Sequence, residues 1–114
     1  MRYVLGFIIL IHGLIHFMGF AKAFGYGNIT QISKNISKPV GAVWLLAALL
    51  FITAVILLFQ KSDLWMWLAL IAAVLSQALI ITVWNDAKFG SIANFIILVV
   101  IVAAFCGYSV IKHQ

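Results

Sequence analysis

Long runs of uncharged, mainly apolar residues dominate the chain, and charged residues stand only outside them. The runs, each at least 19 residues long, are Tyr3 to Ala21, Pro39 to Gln60, Leu64 to Asn85 and Phe89 to Ile111. About 20 helical residues cross the roughly 30 Å hydrocarbon core of a bilayer. Strands of a membrane barrel are shorter and alternate apolar with polar residues, which these runs do not. The pattern therefore predicts an all-α integral membrane protein. We place its spans at approximately 3–23, 40–60, 64–84 and 90–111.

The connections between the later runs are short. Lys61-Ser62-Asp63 separates the second and third, and we expect Ser62 or Asp63 to cap the third helix. About five residues around Asp86 separate the third and fourth runs. Because such short links force antiparallel neighbours, the expected fold is a single membrane domain, 1–114, forming a four-helix up-down-up-down bundle. Ser37-Lys38-Pro39 predicts the start of the second helix, with a capping hydroxyl followed by a proline in the first turn.

The longest link, Phe24 to Lys38, has a different pattern. Ile29, Ile32 and Ile36 recur at three- and four-residue spacing with polar residues between them. This spacing favours a short amphipathic segment along the lipid headgroups, between the first and second spans. An irregular loop is an equally good interpretation of so short a stretch.

Composition and charge narrow the class of protein further. Hydrophobic residues make up 67% of the chain and charged residues 8%, a composition that soluble domains do not have. The seven basic residues outnumber the two acidic ones, but they stand singly at the ends of the apolar runs. We therefore expect contacts with the lipid bilayer rather than with nucleic acid. The candidate anchors at the membrane surface are Lys22, Asp86, Lys88, Trp44 and Trp84.

The N-terminus imitates a signal peptide, with Met1-Arg2 ahead of an apolar stretch and Ala21-Lys22-Ala23 as a possible cleavage site. Cleavage would leave a chain that begins at Phe24. The apolar stretch is longer than a typical signal segment, so we expect it to be retained as the first span.

Polar residues inside the spans carry the candidate chemistry. His12 and His16 are four residues apart and share one face of a helix. By their distance from the helix ends, Gln77 and Asn94 lie in the same half of the membrane, and His16 meets Gln77 if both faces turn inward. Two interpretations stay open: these four side chains hold the helices together by hydrogen bonds, or they line a binding site.

Burial in hydrocarbon disfavours the charged imidazolium, so we expect both histidines to be neutral, each with one donor and one acceptor nitrogen. Such a pair suits a quinone-like or lipid-like ligand, which needs only an apolar slot and one or two hydrogen bonds. A metal site on His12 and His16 lacks a further ligand nearby, and a bis-histidine haem needs a second subunit. The spans contain no evident nucleophile, acid-base pair or cofactor motif, so the sequence does not favour an enzyme.

Three blocks of sequence together resemble a known kind of membrane protein. They are "HGLIHFMGFAKAFG" at His12 to Gly25, "ISKPVGAVWLLAALLF" at Ile36 to Phe51 and "DAKFGSIANFIIL" at Asp86 to Leu98. The chain resembles a family of uncharacterised bacterial four-helix integral membrane proteins, distantly similar to the DoxX group, in which some members are subunits associated with quinone-linked oxidation. The residues that match the family pattern are His12, His16, Gly19, Lys22, Asp86, Lys88, Gly90 and Asn94.

The resemblance implies a multi-pass protein of the bacterial inner membrane but no particular reaction. With the polar residues, it leads us to expect a small accessory module that binds a quinone-like or lipid-like ligand near His12 and His16. The alternatives are a structural subunit of a larger membrane complex and a metal or haem site completed in a homo-oligomer.

Overall fold

A computed structural model of the chain describes residues 2–27, 29, 32 and 35–112, and every regular element within these residues is a helix. The helices are α1 (Arg2–Ile15), α2 (Phe17–Phe24), α3 (Lys38–Phe59), α4 (Leu64–Thr82), α5 (Trp84–Ala87) and α6 (Gly90–Lys112). The prediction of an all-helical protein is thereby confirmed. Three stretches are long and apolar enough to cross a bilayer, namely Tyr3–Phe24, α3 and α4. In α6 the apolar stretch within the searched residues is Gly90–Cys106.

Two predicted spans differ from the observed helices. The span predicted at 3–23 is divided at His16 into α1 and α2. The span predicted at 64–84 ends earlier, at Thr82, because Val83 leaves the helical conformation with φ −127° and ψ 41°. The Thr82 hydroxyl donates to the carbonyl of Leu79 at 2.6 Å and so satisfies one carbonyl of the last turn.

The turn between α3 and α4 forms through main-chain bonds. Lys61 adopts φ 61°, and its N–H donates to the carbonyl of Leu58, while the Ser62 N–H donates to the carbonyl of Leu57. This pair of bonds is the Schellman motif, with Lys61 at the left-handed position that glycine usually takes. The Ser62 hydroxyl accepts from the Leu64 N–H at 3.3 Å, so Ser62 rather than Asp63 supplies the expected cap.

The start of α3 is placed as Pro39 predicts, but the expected hydroxyl cap is wrong. Ser37 precedes the helix in an extended conformation, and its side chain makes no capping bond. Its carbonyl accepts the first helical bond instead, from the Gly41 N–H at 2.8 Å. Proline in the first turn reduces the need for a side-chain cap, since it has no N–H to satisfy.

Small residues let the helices approach closely. α3 packs against α1, α2 and α4, and α6 packs mainly on α4. On the face turned to α3, Gly6, Gly13 and Gly19 lie so close that a Cβ on Gly13 would fall 2.7 Å from the Cβ of Phe51. Fully buried alanines line α3 and α4, at Ala47, Ala48, Ala54, Ala69, Ala72 and Ala73. Many large apolar side chains are exposed on the outer faces, and these small residues allow the close approach of the helices inside.

The interior divides into two clusters at opposite ends of the long axis. The turn-side cluster lies toward Lys61 and comprises Leu5, Ile9, Phe51, Ala54, Val55, Leu58, Trp65, Met66, Ala69, Ala72, Ile97 and Ile101. The link-side cluster lies toward the link between α2 and α3 and comprises Ile32, Trp44, Ala47, Leu79 and Val83.

The link itself corrects one expectation. Ile32 is buried and packs in the link-side cluster, so this isoleucine faces the protein interior rather than the headgroups. Ile29, Ile32 and Ile36 are not helical. The other residues of the predicted amphipathic segment, at 28, 30, 31, 33 and 34, lie outside the described residues.

Candidate functional site

The break between α1 and α2 arises from the side chain of His16. The Nδ1 of His16 lies 2.7 Å from the carbonyl oxygen of His12, one turn earlier, the position that a main-chain N–H normally takes. The main-chain N–H of His16 donates instead to the carbonyl of Gly13, at 3.1 Å. The helix therefore tightens for one residue at His16 and continues at Phe17.

The same bond fixes the proton on His16. A carbonyl oxygen only accepts, so Nδ1 must carry the hydrogen, and in a neutral ring Nε2 is then the acceptor. Ser76 Oγ lies 2.6 Å from Nε2 and must donate to it. Once the Ser76 hydrogen is committed, its oxygen can only accept from its other neighbours.

Asn94 on α6 extends the network to His12. Its Nδ2 donates to Ser76 Oγ at 3.1 Å and to Gln77 Oε1 at 3.2 Å, so its Oδ1 points to His12. The Nε2 of His12 lies 2.7 Å from this oxygen and must be a donor. Starting from one main-chain carbonyl, the network therefore assigns the hydrogen to Nδ1 of His16 and to Nε2 of His12.

One ring nitrogen has no partner in this network. With the hydrogen on Nε2, Nδ1 of His12 is an acceptor, and it makes no hydrogen bond to the described residues. Among the described side chains, the buried polar atoms that have no hydrogen-bond partner are Trp44 Nε1 and Ser91 Oγ. Nδ1 of His12 is not among these buried atoms, and His12 lines the cavity described below.

Aromatic rings enclose the two imidazoles from the side of α3. Phe51 is fully buried, and its ring centre lies 5.1 Å from that of His12 and 5.3 Å from that of His16. Trp44 lies 5.3 Å from His16, and the two imidazoles meet edge to face at 4.8 Å. These contacts hold both rings in fixed orientations, so the direction of the open nitrogen is fixed as well.

A cavity of about 340 Å³ adjoins the network on the link side. Its polar lining comes from His12, His16 and Asp86, and its apolar lining includes Trp44 and Ile80. Gly90 lies at the wall, where a Cβ would fall 2.9 Å from Ile80 Cδ1 and 3.7 Å from His12 Cε1. A mainly apolar volume with a few convergent polar groups is typical of a small-molecule site.

The predicted site residues come together with one change of partner. His12, His16 and Asn94 are buried in one network, but His16 bonds to Ser76 and not to Gln77. Gln77 is partly buried and contacts the network by accepting a hydrogen bond from Asn94. The expected contact between His16 and Gln77 is therefore wrong, because Gln77 sits at the edge of the buried face of α4.

Ser76 was not among the predicted site residues, although the spacing of small residues in α4 indicates that it faces inward. The fully buried alanines Ala69, Ala72 and Ala73 recur at three- and four-residue spacing, and the next position on that face is 76. The stripe of small residues thus identifies the inward face of α4 and places Ser76 on it.

The candidate surface anchors differ from one another. Trp44 is only 3% exposed and packs beside His16, so its expected place at the membrane surface is corrected: Gly19 on α2 leaves room for the indole inside. Trp84 is 47% exposed. The Lys22 ammonium donates to the carbonyl of Ile29 at 3.1 Å and ties α2 to the link, and the Lys88 ammonium lies 5.6 Å from the Phe89 ring centre.

Metal chemistry has little support at the network. Within the described part of the chain, no three His, Cys, Asp or Glu side chains come together as a metal site requires. Both nitrogens of His16 are engaged, so a metal held by both rings would break the bond of His16 to Ser76 or to the carbonyl of His12.

Comparisons with protein-family models, characterised proteins and solved structures found no match to this chain. The resemblance to a DoxX-like family therefore stays a prediction, and the site is interpreted from its own geometry.

Proposed function

We propose that the protein is an integral membrane protein with a four-helix up-down-up-down bundle, and that its link-side half binds a quinone-like or lipid-like molecule. Support for the membrane setting comes from the outward faces. In the most apolar window of Tyr3–Phe24, α3 and α4, only 39%, 39% and 44% of the residues are buried. More than half of each window is thus not buried, and most of these residues are apolar, which is costly in water and favourable in lipid.

Membrane integration is tested by extraction. We expect the expressed protein to stay in the membrane pellet after washing with alkaline carbonate and to be released by detergent. Recovery in the carbonate supernatant would contradict the proposal. A bacterial host suits this test because the resemblance favours the inner membrane.

One observation carries the ligand proposal: an open acceptor nitrogen, Nδ1 of His12, on a cavity of about 340 Å³ that is mainly apolar. The cavity opens partly to the outside of the bundle, so a molecule dissolved in the bilayer could reach it. Native membranes supply lipid-soluble molecules of suitable size, and such a molecule would fill the volume and contact His12.

The ligand experiment uses a cavity-filling variant. Gly90→Leu places a side chain against Ile80 and His12, so we expect it to displace the occupant. The control is Ala103→Leu, which adds similar bulk at an exposed position of the same helix. Protein purified in native lipid discs is extracted and analysed by mass spectrometry. A lipid-soluble species enriched in the wild type and Ala103→Leu, but not in Gly90→Leu, supports the proposal; equal enrichment in all three contradicts it.

The alternative is a structural subunit, and the network gives it a specific basis. Both nitrogens of His16 are bonded, and Ser76 and Asn94 are both engaged, as expected of side chains that join helices. In that case the double variant His12→Ala with His16→Ala lowers thermal stability and leaves the extracted lipids unchanged.

A further inference from the structure

We infer that the molecule bound in the link-side cavity carries a hydroxyl group and donates its hydrogen to Nδ1 of His12. This inference rests on the proposed ligand site and names its chemical class. It separates two groups of lipid-soluble molecules: those that only accept hydrogen bonds, such as quinones and methyl ethers, and those that also donate, such as quinols, phenols and alcohols.

For a neutral His16, the hydrogen positions in the network follow from one main-chain carbonyl. The carbonyl of His12 accepts from Nδ1 of His16, and the assignment then passes through Ser76 to Asn94 and from Asn94 to His12. Rotating the Asn94 amide by half a turn would set its oxygen against Ser76 Oγ, whose hydrogen is already given to His16. Two acceptors would then face each other without a hydrogen, so this alternative is excluded.

The remaining nitrogen can only receive a hydrogen bond. A quinone carbonyl placed against Nδ1 of His12 would set two lone pairs in contact, which is repulsive and leaves both groups unsatisfied. A hydroxyl in the same place donates to Nδ1 and satisfies both groups. The fixed ring therefore selects a donor.

The surroundings prevent His12 from adapting by rotation. Its ring is bonded to Asn94 at 2.7 Å and lies edge to face against His16 and Phe51. Turning the ring to present a hydrogen to the cavity would break the bond to Asn94, which is buried with 2% exposed. A buried amide without its partner is unfavourable, so a donor ligand is accommodated with less rearrangement.

Matched pairs of small molecules test this directly. 4-Pentylphenol and its methyl ether 4-pentylanisole share an apolar body and differ in the hydrogen at oxygen. 1-Octanol and 1-methoxyoctane form the same contrast with an aliphatic chain. Binding to the full chain in lipid discs is measured against empty discs, so that partitioning into lipid is subtracted.

We expect each hydroxyl compound to bind about tenfold more tightly than its ether, the difference that one hydrogen bond makes. A larger preference in the phenol pair would indicate an aromatic hydroxyl as the natural partner, and a larger one in the octanol pair an aliphatic hydroxyl. Equal binding, or tighter binding of the ethers, would overturn the inference while leaving a ligand site. If none of the four compounds binds above empty discs, both the inference and the proposed site are overturned.

A variant outside the cavity wall tests the origin of the preference. Ser76→Ala removes the hydroxyl that fixes the orientation of Asn94, so His12 becomes free to carry its hydrogen on either nitrogen. We expect binding to persist and the hydroxyl preference to fall to about threefold or less. The matched control is Ser91→Ala, since Ser91 Oγ is buried without a partner and fixes nothing.

Nuclear magnetic resonance of histidine labelled with nitrogen-15 adds a readout independent of affinity. In the wild type, the hydrogen is expected on Nε2 of His12, and 4-pentylphenol should shift the His12 Nδ1 resonance while 4-pentylanisole does not. A wild-type His12 with its hydrogen on Nδ1, or a preference unchanged in Ser76→Ala, would overturn the inference.

Discussion

The two ends of the interior are built from the same long helices and held together in different ways. At the turn-side cluster, α1, α3, α4 and α6 meet through apolar contacts alone, with Phe51, Ile9 and Ile97 fully buried. At the link side, α1, α4 and α6 meet through His12, Ser76 and Asn94, with His16 at the break between α1 and α2, beside a cavity. The cavity of about 340 Å³ thus lies beside the hydrogen-bonded contacts.

The difference shows what each kind of contact specifies. In a bilayer, lipid chains compete with apolar side chains for the same contacts, so apolar packing distinguishes helix registers mainly by shape. Hydrogen bonds with fixed donors and acceptors distinguish registers more sharply, because a shift leaves a buried group unpaired. In the proposed membrane setting, we therefore expect the link-side end to set the register of α1, α4 and α6 and the turn-side end to supply packing.

The largest effect is expected at the turn-side end. Ile97→Ala opens a gap in a fully buried position of α6 and should cost about 2 to 5 kcal/mol of unfolding free energy. The control is Ile96→Ala, the neighbour that is 39% exposed and faces outward. Thermal unfolding in detergent measures both. A cost for Ile97→Ala no larger than that for Ile96→Ala would show that the turn-side end is loosely packed.

The next effect breaks the link-side network at its centre. Asn94→Leu keeps the approximate size but leaves Nε2 of His12 without an acceptor, so we expect a loss of about 1 to 3 kcal/mol. Asn85→Leu, an exposed position in α5, is the control and should change stability little. Unlike Ile97→Ala, Asn94→Leu should also move the histidine resonances. Unchanged His12 resonances would contradict the assigned bond.

A smaller effect is expected when the hydrogen bond from Ser76 to His16 is removed. Ser76→Ala leaves Nε2 of His16 without a donor and should cost about 1 kcal/mol, near the value of a hydrogen bond between membrane helices. Thr53→Ala serves as the control because the Thr53 hydroxyl is exposed and bonds only to its own helix, at Leu49. Equal unfolding temperatures for the two variants would contradict the hydrogen bond assigned between Ser76 and His16.

The smallest effect compares the helix ends at the two sides. Gly25 ends α2 with φ 74° and Lys61 ends α3 with φ 61°, so both occupy the left-handed region. Gly25→Ala should lower the unfolding free energy by about 1 kcal/mol, and Lys61→Gly should raise it by about 0.5 to 1 kcal/mol. Opposite shifts in unfolding temperature are the expected result. Shifts of the same sign would show that side-chain contacts, and not backbone conformation, decide these turns.

Much of the fold follows from the apolar runs because their lengths and the short Lys61 turn constrain the chain strongly. The break at His16 could not be predicted from hydropathy, since a side chain that competes with its own backbone leaves no trace in an apolar average. The burial of Trp44 depends on Gly19, a pairing between segments distant in sequence. Such pairings are decided by tertiary packing.

Of the candidate site, His12, His16 and Asn94 were recognisable because polar groups in apolar helices need partners. Their actual partner Ser76 was less evident, since a serine among alanines scarcely changes the polarity of a helix. Gln77 is the more polar residue, yet the register of the alanine face decides which of these two neighbours turns inward.

The carbonyl of His12 accepts a hydrogen bond from the imidazole of His16 and not from the main-chain N–H of that residue. A straight first span would return that oxygen to the amide of residue 16, and Nδ1 would have to give up its place. The main-chain hydrogen bond of His16 and the location of one imidazole hydrogen are therefore linked. The resonance of that imidazole hydrogen is therefore expected to report on the main-chain conformation between α1 and α2 as well as on the candidate site.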